Sequence, residues 1–86
     1  MPKRDTKQNK TSSSEKLVPA ERLVFARNFK EARKKAGLTQ AAIRERTGLA
    51  QPFISEVENG LSTINLDNAA QLAAAVGVPL WKLLVP

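Results

Sequence analysis

The chain contains no cysteine, no histidine and no tyrosine. Without cysteine there is neither a disulfide framework nor a thiolate ligand, and without histidine as well the usual zinc and copper sites cannot be built, so no metal is expected. The same absences remove the commonest nucleophile and the commonest general base. Serines and carboxylates are present, but no base is placed to activate a hydroxyl and no glycine-rich phosphate cradle appears. An enzyme is therefore not expected, and no cofactor is implied. Long apolar runs are missing too. Although 42% of residues are hydrophobic, every window is too polar for a membrane span. Met1-Pro2-Lys3-Arg4 leads into polar Thr6 to Lys10 rather than the apolar stretch of a secretory signal, which makes the cytoplasm the expected location.

What is present is size for one small domain and a surplus of positive charge. Eighty-six residues cannot give two adequate cores. Fourteen Lys and Arg against eight Asp and Glu leave a net charge of +6, which favours a polyanionic partner: nucleic acid, an anionic membrane face or an acidic protein. Residues 1–16 carry +3 of that charge, from Lys3, Arg4, Lys7, Lys10 and Lys16 less Asp5 and Glu15. Met1 is their only strongly apolar residue, so no core forms there, and the segment reads as a flexible basic tail. It is either a solvated leader or an arm that tracks DNA. A membrane role lacks an adjoining amphipathic helix with bulky apolar residues to insert.

Residues 17–86 form the expected folded domain, with apolar residues at helical spacing throughout. A first helix opens at Pro19 and stops at Gly37, with Phe25, Phe29, Ala32 and Ala36 as its buried stripe and Lys34 and Lys35 suiting its negative end. Thr39 caps a short second helix that Gly48 stops, and Gln51-Pro52 opens a third that ends at Gly60. Asn65 caps a fourth, Leu66 to Val76, with Leu66, Ala69, Ala70, Ala73 and Val76 on one face, and Pro79 starts a last turn through Leu84. The expected fold class is all-α, with five helices.

Two short helices joined by a turn containing glycine make a helix-turn-helix unit. Spacing puts Ile43, Leu49, Ile54 and Val57 inside, and turns Gln51, Pro52, Ser55, Glu56 and Asn59 outward, where amides and hydroxyls can reach base edges in a major groove.

In these residues the sequence resembles the Cro and phage-repressor type of helix-turn-helix domain, the XRE family, over about residues 20–85. The resemblance is carried by Arg33, Gly37-Leu38-Thr39-Gln40, Thr47-Gly48-Leu49, Ile54-Ser55-Glu56-Val57-Glu58-Asn59-Gly60, Leu72-Ala73 and Ala75-Val76-Gly77-Val78. It implies a compact five-helix, lambda-repressor-like domain that binds double-stranded DNA. It further implies that Gln40 bonds a backbone phosphate at a helix end that already favours anions. Asn59 does likewise, and Thr39, Ser62, Thr63 and Arg44 are the remaining candidates for phosphate contact. Gln51 leads base readout, with Pro52, Phe53, Ser55 and Glu56 beside it. Phe53 either touches a thymine methyl or belongs to the core. Arg33 and Glu58 stand where the family forms a largely buried ion pair between the first and third helices.

The sequence departs from the family's pattern at Arg44, where alanine is usual and lets the two helices of the unit approach closely. The loop Leu61-Ser62-Thr63-Ile64 also lacks basic residues, and Glu56 and Glu58 make the recognition helix acidic. A specific operator usually needs two such helices roughly 34 Å apart, so a homodimer is expected. The surface proposed for it is the C-terminal cluster Leu80, Trp81, Leu83, Leu84 and Val85, with Trp81 either its anchor or a core residue. The function these features imply is a transcriptional regulator, a repressor on a short palindromic site. The alternative is a protein-interaction module, or an antitoxin or controller-type protein, that keeps the helix-turn-helix core.

Overall fold

The computed structural model describes residues 18–86; the basic tail expected over residues 1–16 lies outside the described residues. Four α-helices follow in order, α1 (Ala20–Lys35), α2 (Gln40–Thr47), α3 (Gln51–Glu58) and α4 (Leu66–Ala75), then a 3₁₀ turn over Leu80–Leu84. There is no strand among the described residues. The fifth helix of the expectation is thus the 3₁₀ turn, opened by the bond from the Lys82 N–H to the Pro79 carbonyl at 3.1 Å.

Capping chemistry sets most boundaries. The Thr39 hydroxyl accepts from the Ala42 N–H at 3.0 Å, and the Asn65 side-chain oxygen from the Asn68 N–H at 2.7 Å. Helix α1 ends when the Leu38 N–H reaches back to the Arg33 carbonyl and the Gly37 N–H to the Lys34 carbonyl, both at 3.0 Å. Helix α3 closes the same way, Leu61 N–H to Glu56 carbonyl at 2.9 Å and Gly60 N–H to Val57 carbonyl at 3.0 Å. This double bond pattern needs a left-handed residue just past the helix, and Gly60 supplies it at φ 72°. Gly60 is also buried, and a Cβ there would stand 2.8 Å from Leu23 Cδ2, a contact the exposed leucine side chain can swing away from, so the left-handed φ is what calls for glycine. Gly48, at φ 78°, makes the turn between α2 and α3.

The core is one cluster: Phe25 and Phe29 from α1, Ile43 from α2, Ile54 and Val57 from α3, Ala69, Leu72 and Ala73 from α4, with Ala75, Val76 and Leu83 closing its far end. The Phe25 and Phe29 rings stack with centroids 6.0 Å apart. Polar ties hold the periphery. Arg46 donates to the Ala75 carbonyl at 3.0 Å, placing a cation at the negative end of α4. Asn28 donates to the Leu83 and Val85 carbonyls at 3.1 and 2.7 Å, pinning the C-terminal turn onto α1.

Several positions depart from the expected faces. Ala36 is exposed because α1 ends at Lys35, and Arg33 takes the place one turn beyond Phe29. In α4 the buried side is centred on Ala69, Leu72, Ala73 and Val76. Ala70, about 100° round the helix from Ala69, is exposed. Leu66 is 74% exposed, since it opens the helix beyond the end of the core. Leu83, counted with the dimer surface, is instead buried in the core. Trp81 is 63% exposed, with the Lys82 ammonium 5.7 Å from its ring centroid, so the core alternative fails for it.

Candidate nucleic-acid interface

Helix α3 has a dry side and a wet side. Ile54, Val57 and Glu58 are buried, while Gln51, Pro52, Glu56 and Asn59 are exposed and Ser55 is half-buried. Leu49 of the turn and Phe53 are both half-buried and pack against the core. Pro52 sits in the first turn of the helix, where its missing N–H breaks no helical bond.

The orientation of α3 is set by a polar constellation at its C-terminal end. Glu58 accepts from Arg33 through both carboxylate oxygens, Nε to Oε2 and Nη2 to Oε1 at 3.0 Å. The third Arg33 nitrogen, Nη1, donates to the Leu38 carbonyl at 2.8 Å. Gln40, the first residue of α2, donates from Nε2 to Glu58 Oε1 at 3.0 Å. With side-chain exposures of 11% and 2% for Arg33 and Glu58, these charges have left water. Bidentate pairing and three donors on one carboxylate offset that desolvation.

The N-terminus of α2 opens beside this network. Thr39 is exposed and uses an oxygen lone pair for the cap, which leaves its O–H to donate outward. Gln40 is half-buried and spends one amide hydrogen on Glu58, so a second remains. Backbone N–H groups of the first turn add a positive potential there. The bond from Gln40 to Glu58 sets this helix start against the C-terminal end of α3.

The loop after α3 is arranged less as expected. Ser62 Oγ donates to Glu56 Oε1 at 2.6 Å, so its proton is already committed. Thr63 Oγ1 accepts from Arg22 Nη2 at 3.0 Å and keeps its own hydrogen, while Arg22 Nη1 lies 3.4 Å from the Gly60 carbonyl. Arg44 is exposed, with Nη2 3.3 Å from Glu45 Oε2. It lies at the surface beside the turn between α2 and α3, lining one shallow hollow with Gly48, Leu49, Gln51 and Pro52. No group of three or more acidic residues that could hold a metal occurs among the described residues. No helix there is long and apolar enough to cross a membrane.

A family model described as a helix-turn-helix matches residues 29–80, from the middle of α1 to the start of the 3₁₀ turn. The chain belongs to the XRE-type helix-turn-helix family of DNA-binding transcription regulators. An uncharacterized HTH-type transcriptional regulator of Sinorhizobium fredii, y4dJ, is 32% identical over 65 residues, covering 76% of this chain and 84% of the relative. A hypothetical transcription factor of Neisseria meningitidis is 35% identical over 65 residues, spanning 76% of this chain but 61% of the relative's length. Among solved structures, the hypothetical transcription factor NHTF from Neisseria superposes with a TM-score of 0.73 at 35% identity, over 77% of this chain and 76% of that one. The restriction-modification controller protein C.AhdI from Aeromonas hydrophila gives a TM-score of 0.70 at 28% identity, over 76% of this chain and 98% of its own. Family membership carries double-stranded DNA binding, and such regulators are generally not enzymes.

Sequence reasoning missed the ties from Ser62 to Glu56, Arg22 to Thr63 and Asn28 to the C-terminus. Two of them join residues 41 to 57 positions apart, and no local pattern marks them.

Removing one member of the buried pair strands its partner. Glu58→Ala is expected to lose about 3–5 kcal/mol of stability. Thermal or urea unfolding followed by circular dichroism checks this, and an unchanged midpoint would contradict the structural role given to Glu58.

Proposed function

We propose that the chain is a sequence-specific repressor that occupies a short palindromic operator as a homodimer, with residues 17–86 as the DNA-binding domain. The observation that carries this reading is the row of exposed Gln51, Pro52 and Glu56 with half-buried Ser55 among them, on a helix held from behind by buried Ile54, Val57 and Glu58. A protruding helix of this kind fits the major groove, where it meets base edges. Gln51 leads, because its amide can pair bidentately with N6 and N7 of adenine. Phe53 offers the exposed part of its ring to a thymine methyl. Thr39, Gln40, Asn59, Thr63 and Arg44 contact phosphates and set the register of the helix without reading sequence. Occupying an operator is enough to block access to it, so repression asks nothing further of this surface.

Dimerisation follows from the size of the site, since one eight-residue helix reads too few base pairs. Leu80, Trp81, Leu84 and Val85 lie at the C-terminal end, and Trp81, Leu84 and Val85 are exposed apolar side chains at adjoining positions. Beside them an apolar groove of about 240 Å³ runs between Phe25, Ile64, Leu66, Leu80 and Leu84. That combination supports a self-complementary interface anchored by Trp81.

Selection from random duplexes at two salt concentrations tests the first part. A palindromic consensus is expected, and Gln51→Ala should cost about 1–3 kcal/mol of discrimination at one base pair in each half-site. Salt-sensitive retention without a consensus would overturn it in favour of the protein-interaction reading. For the second part, sedimentation is expected to show a dimer that Trp81→Ala converts to monomer; a monomer in both, or a dimer in both, would overturn the interface.

A further inference from the structure

Glu56 is a carboxylate on the face assigned to DNA, where phosphates repel it. Its surroundings give it a task. The bond from the Leu61 N–H to the Glu56 carbonyl at 2.9 Å and the left-handed Gly60 turn the chain back along α3. That reversal returns Ser62 to the side of the helix, where its hydroxyl donates to Glu56 Oε1 at 2.6 Å. Arg22 holds the same strap from α1, with Nη2 3.0 Å from Thr63 Oγ1 and Nη1 3.4 Å from the Gly60 carbonyl. Ser62 is therefore presented by a braced loop. The bond occupies one carboxylate oxygen and restrains a long exposed side chain before any duplex arrives, which lowers the ordering cost of a later contact.

Oε2 is left to accept, and an ionised carboxylate can only accept. In the major groove it can be met by the exocyclic amines alone, N4 of cytosine or N6 of adenine. The adenine amine is flanked by two acceptors, its own N7 and O4 of the paired thymine. The cytosine amine is flanked by one, O6 of the paired guanine. A fixed negative charge is repelled less at cytosine. We infer that Glu56 reads cytosine through N4 and that Ser62 is the positioning residue that aims it. This inference rests on the reading of α3 as the base-contacting helix. It also changes the part played by Ser62, whose proton goes to Glu56 and not to a phosphate.

The test is the same duplex selection run on the full chain and on Glu56→Gln, Ser62→Ala and Ser62→Thr, with melting curves showing that each variant folds. The unaltered chain is expected to select cytosine at one position of each half-site. Glu56→Gln should move the preference at that position alone to adenine, whose N6 and N7 suit an amide. Ser62→Ala should weaken the cytosine preference by about two- to tenfold, the range of one intramolecular hydrogen bond, and Ser62→Thr should restore it. A consensus that Glu56→Gln leaves unchanged overturns the inference while leaving the regulator reading standing. So does a Ser62→Ala variant that binds all duplexes more weakly and flattens the salt dependence by about 0.9, the mark of a lost phosphate contact. If the unaltered chain selects no consensus, base reading by α3 fails and the role of Glu56 fails with it.

Discussion

The Glu58 carboxylate is the point at which three helices are tied to one another. Packing of Ile54 and Val57 into the core fixes how deep α3 sits, but apolar contact is non-directional and allows a short helix to roll. The bidentate bond from Arg33 of α1 and the bond from Gln40 at the start of α2 remove that freedom. Once Glu58 is fixed inward, Glu56, about 160° round the helix, must face out, with Pro52 on the same side, while Gln51 is exposed as the first residue of the helix. The pair's net contribution to stability can be small, because desolvating two ions offsets their attraction. Its contribution to geometry is not small. A buried charge that finds its donors in only one arrangement selects that arrangement.

The same network reaches the surface through Gln40. One hydrogen of its amide serves Glu58 and the other is available at the anion-favouring end of α2. The group that orients the base-facing helix and the group proposed to grip the backbone are therefore neighbours in one hydrogen-bond chain. Charge is distributed to match. The recognition helix is acidic, with Glu56 and Glu58 and no basic residue, so attraction to DNA must come from elsewhere in a chain of net charge +6. Glu58 is neutralised internally by Arg33, and Glu56 shares its charge with the Ser62 hydroxyl. Neither acts on the phosphates as a bare ion.

Much of this fold was legible because its boundaries are made by local chemistry. Thr39 and Asn65 cap, and Gly37, Gly48, Gly60 and Gly77 all take positive φ where helices stop. A sequence pattern that spaces such residues between apolar stripes leaves few alternatives. The inner row Ile43, Ile54 and Val57 and the outer row of α3 were readable for the same reason. Periodicity does not show where the core ends: Leu66 and Ala36 fit the apolar stripes of their helices but lie past it. Neither could it tell the inward leucine of the last turn from the outward ones: Leu83 is buried and Leu84 exposed, neighbours that point roughly 120° apart on a 3₁₀ turn. The Ser62 bond to Glu56 was invisible for a further reason. It depends on how the chain folds back after Gly60, and only the closed helix end brings the two side chains together.

The central claim is that the outward side of α3, with the first turn of α2 beside it, is the surface that meets DNA. Amide chemical-shift mapping tests it most directly, by titrating the isotopically labelled full chain with a duplex carrying its selected site. The account predicts that the largest changes fall on Thr39 to Ala41 and on Gln51 to Asn59, with the side-chain amides of Gln40 and Gln51 among them. Changes concentrated instead on α4 and the Leu80–Leu84 turn, with α3 unperturbed, would contradict it.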